Sequence, residues 1–219
     1  MKPAKTARRE KLRKVLVGCG VLSSVLYIGA DVYAWTQYPG YSPVSQAFSE
    51  LLAEGAPTRL VMLAVVGIPY NLLVAALGVG VWLSAAEQRV PRITAVLLVL
   101  YSAISFVGGT FFQMDQREVG GSARTLMHEW VTAMMVLTLL LTVGFGAFTR
   151  GTQFRAYSLA SLLTILIFAG LAFQQAAQLQ ALETAPWLGL IERVNIYAWM
   201  LWVAVLAVSF WPVQRTQRR

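Results

Sequence analysis

The chain has 219 residues, of which 57% are hydrophobic and only 13% charged, with a formal net charge of +8. That composition is more apolar than a soluble domain of this size carries and points to a membrane protein. The basic excess does not point to nucleic acid, because no basic surface with interleaved aromatics exists outside the N-terminal cluster.

Residues 1–14 hold Lys2, Lys5, Arg8, Arg9, Lys11, Arg13 and Lys14 and read as a basic cytoplasmic tail that binds anionic lipid heads. A single six-helix membrane domain follows over 15–211, and 212–219 forms a second basic cytoplasmic tail. A span needs about 20 mostly apolar residues. Such runs lie at 15–35, 60–84, 93–113, 126–148, 156–178 and 191–211, which leaves no room for a soluble domain. The expected architecture is all-α: a bundle of six transmembrane helices with a short amphipathic interfacial helix in the first outer loop. Between spans the basic residues gather at Arg89 and Arg92, at Arg150 and Arg155, and in the tail at Arg215, Arg218 and Arg219. This positive-inside pattern puts both termini in the cytoplasm of a cell-membrane protein, and the histidine and most acids on the outer side.

The first span resembles a signal peptide in its basic flank and in the small residues around Val32 and Ala34. Its apolar run, flanked by Tyr27 and Trp35, is long enough to cross, so it reads as a retained anchor. Asp31 shares a helical face with Ser24 and Tyr27. It is either one wall of a polar cavity or an interface acid bonded to a neighbouring helix. In the first outer loop Pro39-Gly40 marks a turn and Ser42-Pro43 starts a short helix. Val44, Phe48 and Leu51 would take one face, Ser45, Gln46, Ser49 and Glu50 the other. Such a helix lies in the interface or folds back over the bundle as a lid. Pro69, near the middle of the second span, predicts a kink, with Asn71 bonding a freed carbonyl.

The second outer loop carries Asp115, Arg117, Glu118 and Gly120-Gly121, and leads to His128 and Glu129 at the head of the fourth span. Asp115 and His128 can meet at the mouth of an antiparallel helix pair. There they would orient a general base, supply two ligands to a divalent metal, or serve as a structural pair. Gln174, Gln175 and Gln178 cluster near the outer end of the fifth span. The third outer loop contains Glu183 and Trp187, and Glu192-Arg193 opens the sixth span, with Arg193 and Tyr197 aligned. Glu192, Arg193 and Asp31 read as structural polar groups joining helices. Trp35, Trp130 and Trp187 suit an interfacial belt.

Several chemistries are set aside. Every lysine lies at the N-terminus, so retinal has no attachment point, and one histidine is too few for a bis-histidine haem. No nucleotide-binding fingerprint and no nucleophile elbow occurs. The lone Cys19 excludes an intrachain disulfide and thiolate zinc sites.

Three stretches together carry a resemblance: 41–51 with Ser49-Glu50-Leu51, then Phe111-Phe112-Gln113-Met114-Asp115 followed by His128, then Glu192-Arg193 opening a Trp-rich last span. Their order and spacing resemble a prokaryotic membrane family, domain of unknown function 998, over about 15–211. The resemblance implies that Ser49, Glu50, Asp115 and His128 belong to its shared motifs. The chain departs from the family pattern at Gln113, often proline there, and at Thr132, often a second histidine. The family brings no established activity. The expected function is a lipid or small-solute binding or accessory membrane protein with an outward-facing polar pocket. The alternative is a lipid-active, hydrolase-like enzyme with Asp115, His128, Glu50 and Ser49 as candidate catalytic residues and Asp115 and His128 as candidate metal ligands.

Overall fold

The computed structural model describes residues 2–115, 122–181 and 184–211; Arg117, Glu118, Gly120, Gly121, Glu183 and the tail from 212 lie outside the described residues. Six helices are long and apolar enough to cross a membrane: α1 (Lys2–Gln37), α2 (Arg59–Ser84), α3 (Arg89–Phe111), α4 (Ala123–Gly146), α5 (Thr152–Gln180) and α6 (Leu188–Phe210). No strand occurs among the described residues. An all-helical answer follows from the solvent, since helices satisfy their backbone groups without water. The protein is a multi-pass membrane protein.

Each helix packs on its chain neighbours, and α6 closes the ring against α1. The contact between α4 and α5 is the sparsest around that ring. Inside, Trp199 and Trp202 of α6 stack with ring centroids 5.6 Å apart, and Trp199 lies 4.7 Å from Tyr101 of α3. Polar ends of these rings find partners: Trp199 Nε1 donates to the Tyr70 hydroxyl at 3.2 Å, and Trp202 Nε1 to Ser158 Oγ at 2.9 Å. Ser24 of α1 donates to the Met200 carbonyl of α6 at 2.7 Å.

The N-terminal basic residues are helical from Lys2 onward, continuous with the first span. Arg13 donates to the Phe210 carbonyl at 2.7 Å, and Arg150 lies over the Phe210 ring at 3.6 Å. Basic side chains thus gather at one end of the bundle, the end carrying the termini. Residues 38–58, 112–115 and 184–187 lie at the opposite end.

In α2, Leu63–Tyr70 winds as a π-helical turn around Pro69. Proline lacks the donor that a regular turn needs, and the wider turn releases carbonyls. Asn71 Nδ2 takes two of them, Val66 O at 3.2 Å and Gly67 O at 2.7 Å, as its place after the proline suggested.

The first long loop differs in detail from the sequence expectation. In place of a short α-helix from Pro43, there is a turn and then a 3-10 helix, Phe48–Leu52. Glu50, expected on the polar face, is buried, and Val44, expected on the apolar face, is exposed. The physical reason is hydrogen bonding. Glu50 turns inward to accept the Ala47 N–H at 2.9 Å and an amide hydrogen of Gln46 at 3.1 Å. The segment therefore folds back onto the bundle.

Close helix approach relies on glycine where α2 meets α1. A Cβ on Gly80 would sit 2.8 Å from the Val17 backbone nitrogen. Gly80→Val should therefore force these helices apart and cost about 1–3 kcal/mol. Thermal unfolding of the detergent-solubilised full chain tests this, and an unchanged midpoint would contradict the packing described.

Candidate functional site

Arg193 is the most heavily bonded side chain at the loop end. Its Nε and Nη2 donate to the two carboxylate oxygens of Asp31 at 3.0 and 2.9 Å. Nη2 also reaches the Tyr41 hydroxyl at 2.8 Å, and Nη1 reaches Pro43 O and Gln46 O, each at 3.0 Å. Tyr197, one turn further along α6, donates to Asp31 at 2.6 Å. Asp31 is fully buried and Arg193 nearly so. Helical spacing places Arg193 and Tyr197 on one face of α6, and Asp31 on the facing side of α1.

The loop comes close enough for these bonds because Gly189 has no side chain. A Cβ there would meet Gln46 O at 2.1 Å and Pro43 O at 2.6 Å. Leu190 N–H donates to Val44 O at 2.9 Å in the same contact. Tyr41 shares its hydroxyl hydrogen between Gln46 O and Ala47 O, and burial pushes its phenol well above the ordinary value. The far side of the loop is tied by an ion pair between Glu54 and Arg124 of α4 and by Arg59 Nε, which donates to Gln113 Oε1 at 2.7 Å.

Beneath this roof lies a cavity of about 230 Å³. Its walls come mainly from α3, α4, α5 and α6, with Tyr27 of α1, Gly67 and Asn71 of α2, and Phe48, Ser49 and Leu52 of the loop. It exceeds the roughly 150 Å³ pocket that suffices to hold benzene. Along α4 it reaches from Thr125 to Leu139. At a rise of about 1.5 Å per residue that is roughly 20 Å, more than half of a ~30 Å hydrocarbon core. Small residues on α5, Ala169, Ala172 and Ala176, make the room. Polar groups, among them Ser49, His128, Glu192 and Asn195, stand toward the loop end, while Leu139, Ala169 and Met200 line the deeper part.

The sequence candidates divide. Ser49 and His128 line the cavity; Glu50 and Asp115 do not. Asp115 accepts a hydrogen bond from Ser122 and lies 3.7 Å from Arg124 Nε. His128 is bonded through Nδ1 to the Phe112 carbonyl at 2.7 Å. A carbonyl only accepts, so Nδ1 carries the hydrogen and Nε2 keeps its lone pair. Asp115 and His128 thus have separate partners, although they bracket the same loop. Ser49 donates to Met114 Sδ at 3.1 Å. Among the described residues, no three His, Cys, Asp or Glu side chains are grouped as metal ligands.

Glu192 is the residue whose place the sequence reading missed. It was read with Arg193 as an interface group, yet it lines the cavity and accepts the Phe48 N–H at 2.5 Å. Adjacent residues on a helix point about 100° apart, and that spacing was the available signal. Thr132 also lines the cavity.

A family model described as "Protein of unknown function (DUF998)" matches residues 21–209. No curated protein and no solved structure matches the chain.

Removing Arg193 leaves Asp31 buried and unpaired, so Arg193→Met should cost about 3–5 kcal/mol. Arg193→Lys should recover only part of this, because one ammonium cannot reach both carboxylate oxygens and the loop carbonyls. Denaturant unfolding of the solubilised variants checks both. A lysine variant as stable as the parent would refute the assignment of this side chain as the tie between loop and helices.

Proposed function

From the premise that the chain belongs to the DUF998 family of proteins of unknown function, we propose that it binds an amphiphile in the cavity beneath its first long loop. The carrying observation is the cavity's polarity gradient. Acceptor groups stand at the loop end, and the lining becomes apolar toward Leu139 over a total length of about 20 Å. A polar head would rest against Ser49, His128 and Glu192 with its chain among Ala169, Ala172 and Leu139. Ligand sites of this kind are apolar and carry a few polar groups that set orientation.

The loop end then faces the outside of the cell membrane, and the basic end with both termini faces the cytoplasm. The support is the distribution of Lys and Arg between the two ends. Anionic lipid heads would gather at the basic end, around Arg13 and Arg150. For a hydrolase-like reading, Ser49 would have to be activated by a base. Its hydroxyl donates to Met114 rather than to His128, and the Asp115 carboxylate is engaged by Ser122 rather than orienting the imidazole, so the binding reading is the better supported.

Native mass spectrometry of the full chain, purified in a neutral detergent, tests the proposal. The parent should retain an amphiphile through detergent exchange. Ala172→Trp, which fills the cavity from α5, should lower that occupancy about tenfold or more at unchanged helicity. Equal retention by both would reject the cavity as the binding site. For sidedness, alkaline phosphatase inserted at Gly40 should be active and a C-terminal fusion inactive. The reverse pattern would reject the orientation.

A further inference from the structure

The charged side chains lining the cavity are both acidic, Glu129 and Glu192; no Lys or Arg among the described residues lines it. Glu129 is held by the Gln180 amide. Glu192 has one carboxylate oxygen on the Phe48 N–H. Its sequence neighbour Arg193 does not neutralise it by direct pairing, because that guanidinium is committed to Asp31, Tyr41 and carbonyl oxygens. Around Glu192 stand two further carboxylates, Asp31 and Glu50, against the single guanidinium. The region is therefore short of positive charge.

The neutral groups point the same way. His128 presents the Nε2 lone pair, since Nδ1 is on the Phe112 carbonyl. Ser49 has its hydrogen on Met114, which leaves its oxygen as an acceptor. Glu192, His128 and Ser49 thus present acceptors at the polar end of the cavity, beside the amide of Asn195 and the hydroxyl of Thr132. Aromatic rings of Tyr27, Phe48 and Trp199 form part of the same wall. Desolvated aromatic faces attract cations.

On the amphiphile reading of this cavity, we infer that its ligand carries an ammonium head, which Glu192 receives as counter-charge with His128 Nε2 and Ser49 Oγ as further acceptors. An ammonium offers three donors and a positive charge, matching the acceptors of Glu192, His128 and Ser49 in a lining whose charged groups are acidic. A phosphate or carboxylate head would face Glu192 with no compensating cation. A bare metal ion would need more ligands than the described residues group together. The ammonium can belong to a free long-chain amine or to a membrane lipid bearing one.

The experiment compares twelve-carbon probes of equal chain, dodecylammonium, dodecanol and dodecyl sulfate, binding to the full chain in maltoside detergent at neutral pH. Dodecylammonium should bind about tenfold or more tighter than dodecanol, with dodecyl sulfate weakest. This ranking needs no variant. Glu192→Gln keeps an oxygen for the Phe48 N–H and should bring dodecylammonium to within about twofold of dodecanol. Equal binding of the first two probes by the parent, or an unchanged preference in Glu192→Gln, overturns the inference. If Ala172→Trp blocks dodecanol while no charge preference exists, the amphiphile reading stands and the ammonium inference fails. If Ala172→Trp blocks none of the probes, the amphiphile reading itself fails. Reconstitution in mixed phosphatidylethanolamine and phosphatidylglycerol, followed by native mass spectrometry, separates the sources. Retained phosphatidylethanolamine supports a lipid ligand; no retained lipid beside dodecylammonium binding supports a free amine; retained phosphatidylglycerol overturns the inference.

Discussion

The Asp31–Arg193 pair is the constraint on which the loop end depends. Both ions are almost completely removed from solvent within an apolar bundle. Such a pair is tolerable only when the remaining hydrogen-bonding capacity is met. Arg193 meets it by binding the backbone of the first loop, and Asp31 by accepting from Tyr197. One ion pair therefore locks α1 to α6 and also holds a non-helical segment over the membrane-spanning core. The fit depends equally on an absence, since any side chain at Gly189 would collide with the carbonyls that Arg193 binds.

Once the loop is held, the cavity follows from the unequal burial of the helices. Half of the apolar window of α6 is buried, against 17% of that of α5. The large rings belong to α6, where Trp199 and Trp202 fill the centre against Tyr70, Tyr101 and Phe154. Three of the facing positions on α5, Ala169, Ala172 and Ala176, are alanines, too small to reach across to α4. Space is left at the α4–α5 side, and Phe48 and Ser49 close its upper end. The π-helical turn of α2 contributes by placing Gly67 and Asn71 on that wall.

Which parts of this were legible in the sequence follows from how local each determinant is. Six spans are sums over many residues, and among the described residues six helices are long and apolar enough to cross. The Pro69–Asn71 arrangement was legible because the orphaned carbonyls and the amide that binds them lie within one turn. The 41–52 loop was not. Glu50 closes its 3-10 turn locally, but the loop backbone is held by Glu192 and Arg193, more than 140 residues away in the chain. Asp115 and His128 bracket one loop, as their spacing allows, but their partners are chosen by orientation. Ser122, seven residues from Asp115, and the Phe112 carbonyl, sixteen residues from His128, took those positions.

The same long-range dependence explains why Glu192 and Arg193, adjacent in sequence, serve opposite purposes. Their side chains diverge by about 100° around the helix axis. Arg193 turns toward α1 and finds a full set of acceptors, so its charge is internal to the fold. Glu192 turns toward the cavity, where the loop offers a single N–H. If its role were only structural, a neutral glutamine would accept that N–H without introducing charge into an apolar wall. A carboxylate at this position carries a desolvation cost that the Phe48 bond alone does not remove. The cost becomes intelligible when a cation completes the site, and that places the selectivity of the cavity in the residue its neighbour leaves unpaired.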